Sequence, residues 1–142
     1  MVTSMAKSML LCFCSIFLLA GCGSSDPLVG TWKGTSGIDT LVYIIESGGT
    51  FAYAITGQDA SSGCTQTASG TGTWMTNGNM LTMQVMQASI ALTGCTDATK
   101  DMAAHPDSGI DTSPHVSTYA ISGNTLSITP SGSSNSLSLA RQ

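Results

Sequence analysis

The sequence predicts an all-β protein: about eight antiparallel strands closing into an up-and-down barrel, made behind a cleaved secretory leader. Three observations predict it. From Leu28 onward apolar residues recur at every second position, the strand period, and not at the helical period of about 3.6. The alternating runs are short and are separated by turns rich in Gly, Asn and Pro. No stretch beyond the leader carries helical periodicity.

The leader comes first. Lys7 supplies its positive charge, and Met9 to Ala20 is almost unbroken apolar sequence. That is about a dozen residues, short of the roughly 20 that a helix needs to cross a bilayer core. A charged start, an apolar run of this length and small residues at its end read as a signal peptide over residues 1–21. Leu19-Ala20-Gly21-Cys22 is similar to a bacterial lipobox, which implies cleavage before Cys22 and a diacylglyceryl group on its thiol. Residues 22–27 are then a lipidated tether, and residues 28–142 the barrel domain. Gly23 follows the cysteine in place of the aspartate that resembles an inner-membrane retention signal. The expected address is therefore the cell envelope, on the outer membrane and facing the periplasm.

Removing 21 of 142 residues leaves 121, one domain's worth. One of the four basic residues, Lys7, leaves with the leader, so three face eight acids, a net charge of −5. An acidic chain with no basic patch excludes nucleic acid as the expected partner. Cys12 and Cys14 also leave and Cys22 is acylated, so Cys64 and Cys95 remain. In an oxidising compartment two such cysteines are a disulfide pair; a metal or catalytic thiol is the competing reading.

The strands follow in order. Leu41, Tyr43 and Ile45 alternate with Val42, Ile44 and Glu46. After Ser47-Gly48-Gly49, Phe51, Tyr53 and Ile55 make the next apolar face. Gly70 to Met75 runs into Asn77-Gly78, the strongest short hairpin signal, because both residues tolerate positive φ. Met80 to Thr93 is too long for a straight strand: at about 3.3 Å per residue it would exceed 40 Å. Its apolar residues also change parity, from Leu81, Met83 and Val85 to Met86, Ala88, Ile90 and Leu92. A β-bulge at Val85–Met86 accounts for both. Gly94 to Pro114 reads as a long loop, and three strands close the chain: 116–122, 125–129 and 137–141. Counting outward from the 77–79 turn, with one or two bulged residues, sets Cys64 beside Cys95.

Leu28-Val29-Gly30-Thr31-Trp32-Lys33 resembles the opening strand of the lipocalin and fatty-acid-binding protein group, whose Gly-x-Trp lies at the closed end of the barrel. Thr118-Tyr119 resembles that group's second motif, without its usual aspartate, and Arg141 stands where the family carries an arginine over the tryptophan. The resemblance covers residues 28–141 and implies a barrel-closing pair, Trp32 and Arg141. No helical lid follows the first strand and no helix follows the last, and the chain is shorter than a usual lipocalin.

Other chemistry is sparse. Asp97, Asp101, His105, Asp107, Asp111 and His115 crowd one loop, but their spacing matches no metal-binding loop and Pro106, Gly109 and Pro114 interrupt it. Met80, Met83 and Met86 have the spacing of copper-handling segments, yet alternation puts Met80 and Met83 on opposite faces. There is no G-x-S-x-G elbow, and both histidines share the acidic loop. The expectation is a non-enzymatic protein with no cofactor and no metal. Two classes remain open. A binding module would hold a small apolar ligand against Tyr43, Phe51, Tyr53, Trp74, Met83 and Val85. An interaction module would have a packed interior and meet an envelope partner through its long loop. Alternation shows two faces without saying which one points inward.

Overall fold

The computed structural model describes residues 26–59 and 62–142. The expected signal peptide, residues 1–21, and the expected lipidation at Cys22 fall outside the described residues. Nine strands form one antiparallel sheet: β1 (Gly30–Ser36), β2 (Asp39–Ile45), β3 (Thr50–Asp59), β4 (Cys64–Asn77), β5 (Met80–Thr93), β6 (Met102–Pro106), β7 (His115–Ser122), β8 (Thr125–Pro130) and β9 (Leu137–Arg141). Eight of them close into a barrel, in the order β1-β2-β3-β4-β5-β7-β8-β9, sealed where β9 returns to β1. Closure removes the two edges that an open sheet would expose.

β6 is the ninth strand, and it corrects the expectation of one long loop from Gly94 to Pro114. Asp97 caps a short 3-10 turn, Ala98–Lys100, by accepting from the backbone N–H and hydroxyl of Thr99. The chain then lies back along the far half of β5, pairing His105 with Ile90 and Pro106 with Ser89. β5 thus serves two neighbours on one edge: β7 along Met80–Met83, and β6 from Ser89 onward. The 107–114 segment crosses the fork between them. Asp107 N–H donates to the Ala88 carbonyl at 3.0 Å, and Gln84 Nε2 donates to the Thr112 carbonyl at 2.9 Å.

The long β4–β5 hairpin carries the expected bulge. Gly72 pairs with Val85 but Thr71 pairs with Gln87, leaving Met86 as the extra residue. Gly70 and Gly72 share a face of β4, so their partners Ala88 and Val85 share a face of β5 despite opposite parity. The hairpin turn is shifted by one residue from expectation. Asn77 pairs with Met80, so Gly78 and Asn79 are the central residues, and only Gly78 has positive φ (61°). Glycine at the first central position alone is the type II′ pattern, which suits the right-handed twist of the strands.

The packed core sits at one end of the barrel: Leu28, Trp32, Ile45, Phe51, Leu81, Leu126 and Leu139. A turn at the chain's entry plugs that end. Asp26 accepts from the N–H of Leu28 through its side chain and from the N–H of Val29 through its carbonyl, both at 2.9 Å. Leu28 is thereby driven fully inside, where its carbonyl accepts the indole N–H of buried Trp32 at 2.7 Å. A buried indole donor without a partner would be costly, so this bond fixes the ring.

Candidate functional site: the open end of the barrel

Above the Trp32 layer the interior is not filled. A cavity of about 340 Å³ opens at the opposite end, within the size range of small-molecule sites. Five of the six residues expected to line it do so: Tyr43, Phe51, Tyr53, Met83 and Val85. Trp74 is not among them. Its indole N–H is instead shared between the carbonyls of Glu46 and Thr50, at 3.0 and 3.1 Å, pinning the β2–β3 turn to β4. Ile55, His115, Ser117, Ile128, Pro130 and Leu137 complete the wall. Most of these come from β7, β8 and β9, which reach β2 and β3 only through closure; their alternation is legible in the sequence, their inward face is not.

One wall is aromatic. Tyr43 and Tyr53 are direct cross-strand partners with ring centroids 6.2 Å apart, and Phe51 follows Tyr53 at 6.3 Å. The opposite strand makes room with glycine. A Cβ at Gly70 would come within 2.6 Å of the Tyr53 ring, and one at Gly72 within 2.7 Å of Phe51. The rings therefore lie flat over β4 backbone. Burial raises the Tyr43 hydroxyl above tyrosine's ordinary pKa, with the neighbouring Tyr53 adding to the effect. Burial raises Tyr53 too, followed by repulsion from Asp107. Both phenols are neutral hydrogen-bonding groups in an otherwise apolar wall.

The acidic loop does not converge on one point. Asp101 accepts from the Cys95 N–H, Asp107 from Gly109 and Asp111 from Ser113, each at 2.8 to 2.9 Å. Asp111 also stands 3.3 Å from His115 Nε2 at the cavity rim. Of the three methionines, Met83 lines the cavity while Met80 and Met86 are exposed, so their sulfurs do not share a face. Cys64 and Cys95 are disulfide-bonded, with Cα atoms 3.9 Å apart. The bond ties the start of β4 to the end of β5. One bulged residue carries the register to Thr93, opposite Thr65, and the chain leaving the sheet supplies the rest of the way to Cys95.

A second, broader groove of about 820 Å³ lies at the β5 fork, between Tyr53, Gly70, Ala88, His105, Asp107 and Ile110. It is larger than the barrel cavity but spread along the sheet, whereas the barrel cavity is lined by strands from both sides of the β1–β9 seam and open at its end.

No protein-family model, curated protein or solved structure matches this chain. Its strand number, antiparallel order and closure are compatible with a calycin-like fold.

Proposed function

We propose that the protein is a lipid-anchored envelope lipoprotein of the lipocalin-like group, a non-enzymatic barrel that holds a small apolar ligand. The observation that carries this reading is the apolar cavity of about 340 Å³ above an end sealed by Leu28 and Trp32. An interior that served stability alone gains by filling such a void, because each missing contact costs packing energy. The anchor rests on the Leu19–Cys22 box: acyl chains contribute about 0.8 kcal/mol per buried methylene, so two or more chains hold the protein permanently. Five residues separate Cys22 from Leu28, a reach of at most about 20 Å. The plugged end of the barrel then lies next to the membrane and the open end faces the periplasm, away from the outer membrane's inner surface.

A second reading, a protein-docking module, draws on the exposed apolar side chains of Ile44 and Met86 on the barrel's outer wall. Native mass spectrometry of the domain released from its own membranes separates the two. A retained small molecule is expected; bare polypeptide mass in every preparation overturns the ligand reading. For the anchor, Cys22→Ser is expected to move the protein from the membrane fraction to the soluble periplasm. Unchanged partitioning, with no labelled fatty acid on the wild type, overturns it.

A further inference from the structure

We propose that the barrel's ligand is a small organic cation, its apolar or aromatic body against Tyr43, Phe51 and Met83 and its positive head at the open end near Tyr53, Asp39 and Asp111. This inference rests on the ligand-binding reading above and adds the ligand's charge class to it.

Two independent features of the open end select that charge. The first is the aromatic wall. Three rings clustered along β2 and β3 line the cavity, and a cation within about 6 Å of a ring face is attracted by the ring quadrupole. Desolvation inside the barrel strengthens that attraction.

The second is the placement of charge. Among the described residues no lysine or arginine lines the cavity. Arg141 is committed at the plugged end, where it covers Trp32 and donates to the carbonyls of Val29 and Pro27. Lys33 neighbours inward-facing Trp32 on β1 and so points out of the barrel, where it is exposed. Lys100 sits in the 3-10 turn, out beyond the disulfide end of the β4–β5 hairpin. Carboxylates do not line the cavity either, but three of them adjoin residues that do. Asp39 shares the inner face of β2 with Leu41 and Tyr43 and lies across Gly57, where an added Cβ would meet its Oδ1 at 1.9 Å. Asp107 faces Tyr53 from the crossing segment, and Asp111 stands beside His115 on the rim. His115 is the basic group there, and it is charged only when protonated. An anionic head entering this end would shed its hydration and find no fixed positive charge, whereas a cationic head meets two phenols in the wall and the field of the three carboxylates beside it.

The test is calorimetric titration of the whole chain carrying Cys22→Ser, at about pH 8 where an ordinary imidazole is neutral. The probes share an octyl tail and differ in head: octyltrimethylammonium, 1-octanol and octanoate. The cation is expected to bind about tenfold tighter than octanoate, with octanol between them, a difference of about 1.4 kcal/mol. Replacing both Asp39 and Asp111 by Asn is expected to remove most of that preference and leave octanol affinity unchanged. Octanoate binding as tightly as the cation, or octanol matching it, overturns the charge assignment while the cavity stands. If none of the three binds, the ligand-binding reading itself falls. Val85→Trp, which fills the cavity, is expected to abolish binding of all three; heat unchanged in that variant would place the probes elsewhere and overturn the proposal.

Discussion

The guanidinium of Arg141 lies 4.2 Å from the centroid of the Trp32 ring, and the two residues are direct partners across the β1–β9 seam. One side chain thereby joins the last strand, the first strand and the entering turn, because Nη1 also donates to the Val29 carbonyl at 2.8 Å and Nη2 to that of Pro27. Gly30 makes this approach feasible. Its φ of 144° is unfavourable for a side chain, and a Cβ there would meet Nη1 at 2.5 Å.

Arg141→Ala is therefore expected to destabilise the fold by about 2–3 kcal/mol, from about 1 kcal/mol of cation–π attraction and about 1 kcal/mol for each hydrogen bond. Arg141→Lys should recover less than half, since an ammonium cannot cover the indole and fork to two carbonyls at once. Urea unfolding midpoints measure both; an Ala variant within about 0.5 kcal/mol of wild type contradicts the seam's importance.

Gly72→Ala should cost about 1–3 kcal/mol through overpacking. Its Cβ would lie 2.1 Å from the Gln84 carbonyl oxygen and 2.7 Å from Phe51, and the first of these is backbone of the paired strand. Gly48→Ala, where nothing lies within 4 Å, is the matched control and should change stability little. Equal midpoints for the two variants would contradict the close packing of the rings on β4.

Reducing the Cys64–Cys95 bond, which spans 31 residues of sequence, should remove about 3–4 kcal/mol in the chain-entropy model. The loss should be felt first where the bond lies, at the far end of the β4–β5 hairpin and at β6. Amide hydrogen exchange is expected to rise there before it rises at the Trp32 end. Uniform acceleration across the barrel would argue against that localisation.

Alkaline destabilisation should depend on Tyr43. Its folded-state pKa is raised by burial above the ordinary value near 10, so above that pH the unfolded chain loses its proton more readily than the folded one. The unfolded state then binds fewer protons, and stability falls as pH rises. Tyr43→Phe should flatten the fall that sets in above about pH 10, measured by urea unfolding at fixed ionic strength. An unchanged slope would show that the phenol ionises equally well in both states.

Much of the fold is local and so was legible in the chain. Side-chain alternation marks strands because the period of a strand is two, and Gly78 marks a tight turn because positive φ suits it. The parity change around Val85–Met86 located the bulge, since one extra residue must flip every later side chain unless the partner strand absorbs it. Together with the turn, that bulge brings Cys64 close to Cys95, and the chain leaving β5 closes the remaining gap. Where the register of the turn depends on twist and pairing, the sequence was ambiguous, and the turn formed one residue later than Asn77-Gly78 suggested.

What tertiary structure alone decided was the meaning of each face. Alternation in Val116–Ser122 and Thr125–Thr129 is symmetric until closure puts Ser117 and Ile128 inside with Tyr43 and Tyr53. The same alternation could not separate Trp74 from the cavity wall, because its placement depends on two carbonyls, of Glu46 and Thr50, more than twenty residues away. Nor was β6 visible: Met102–Pro106 has little alternation of its own, and it becomes a strand because β5 outruns β7 and leaves backbone groups to be paired. The cavity follows from the same cause. Seven side chains fill one end of the barrel, and nothing in the order of residues says that the other end is left open; that is a matter of which strands meet in space.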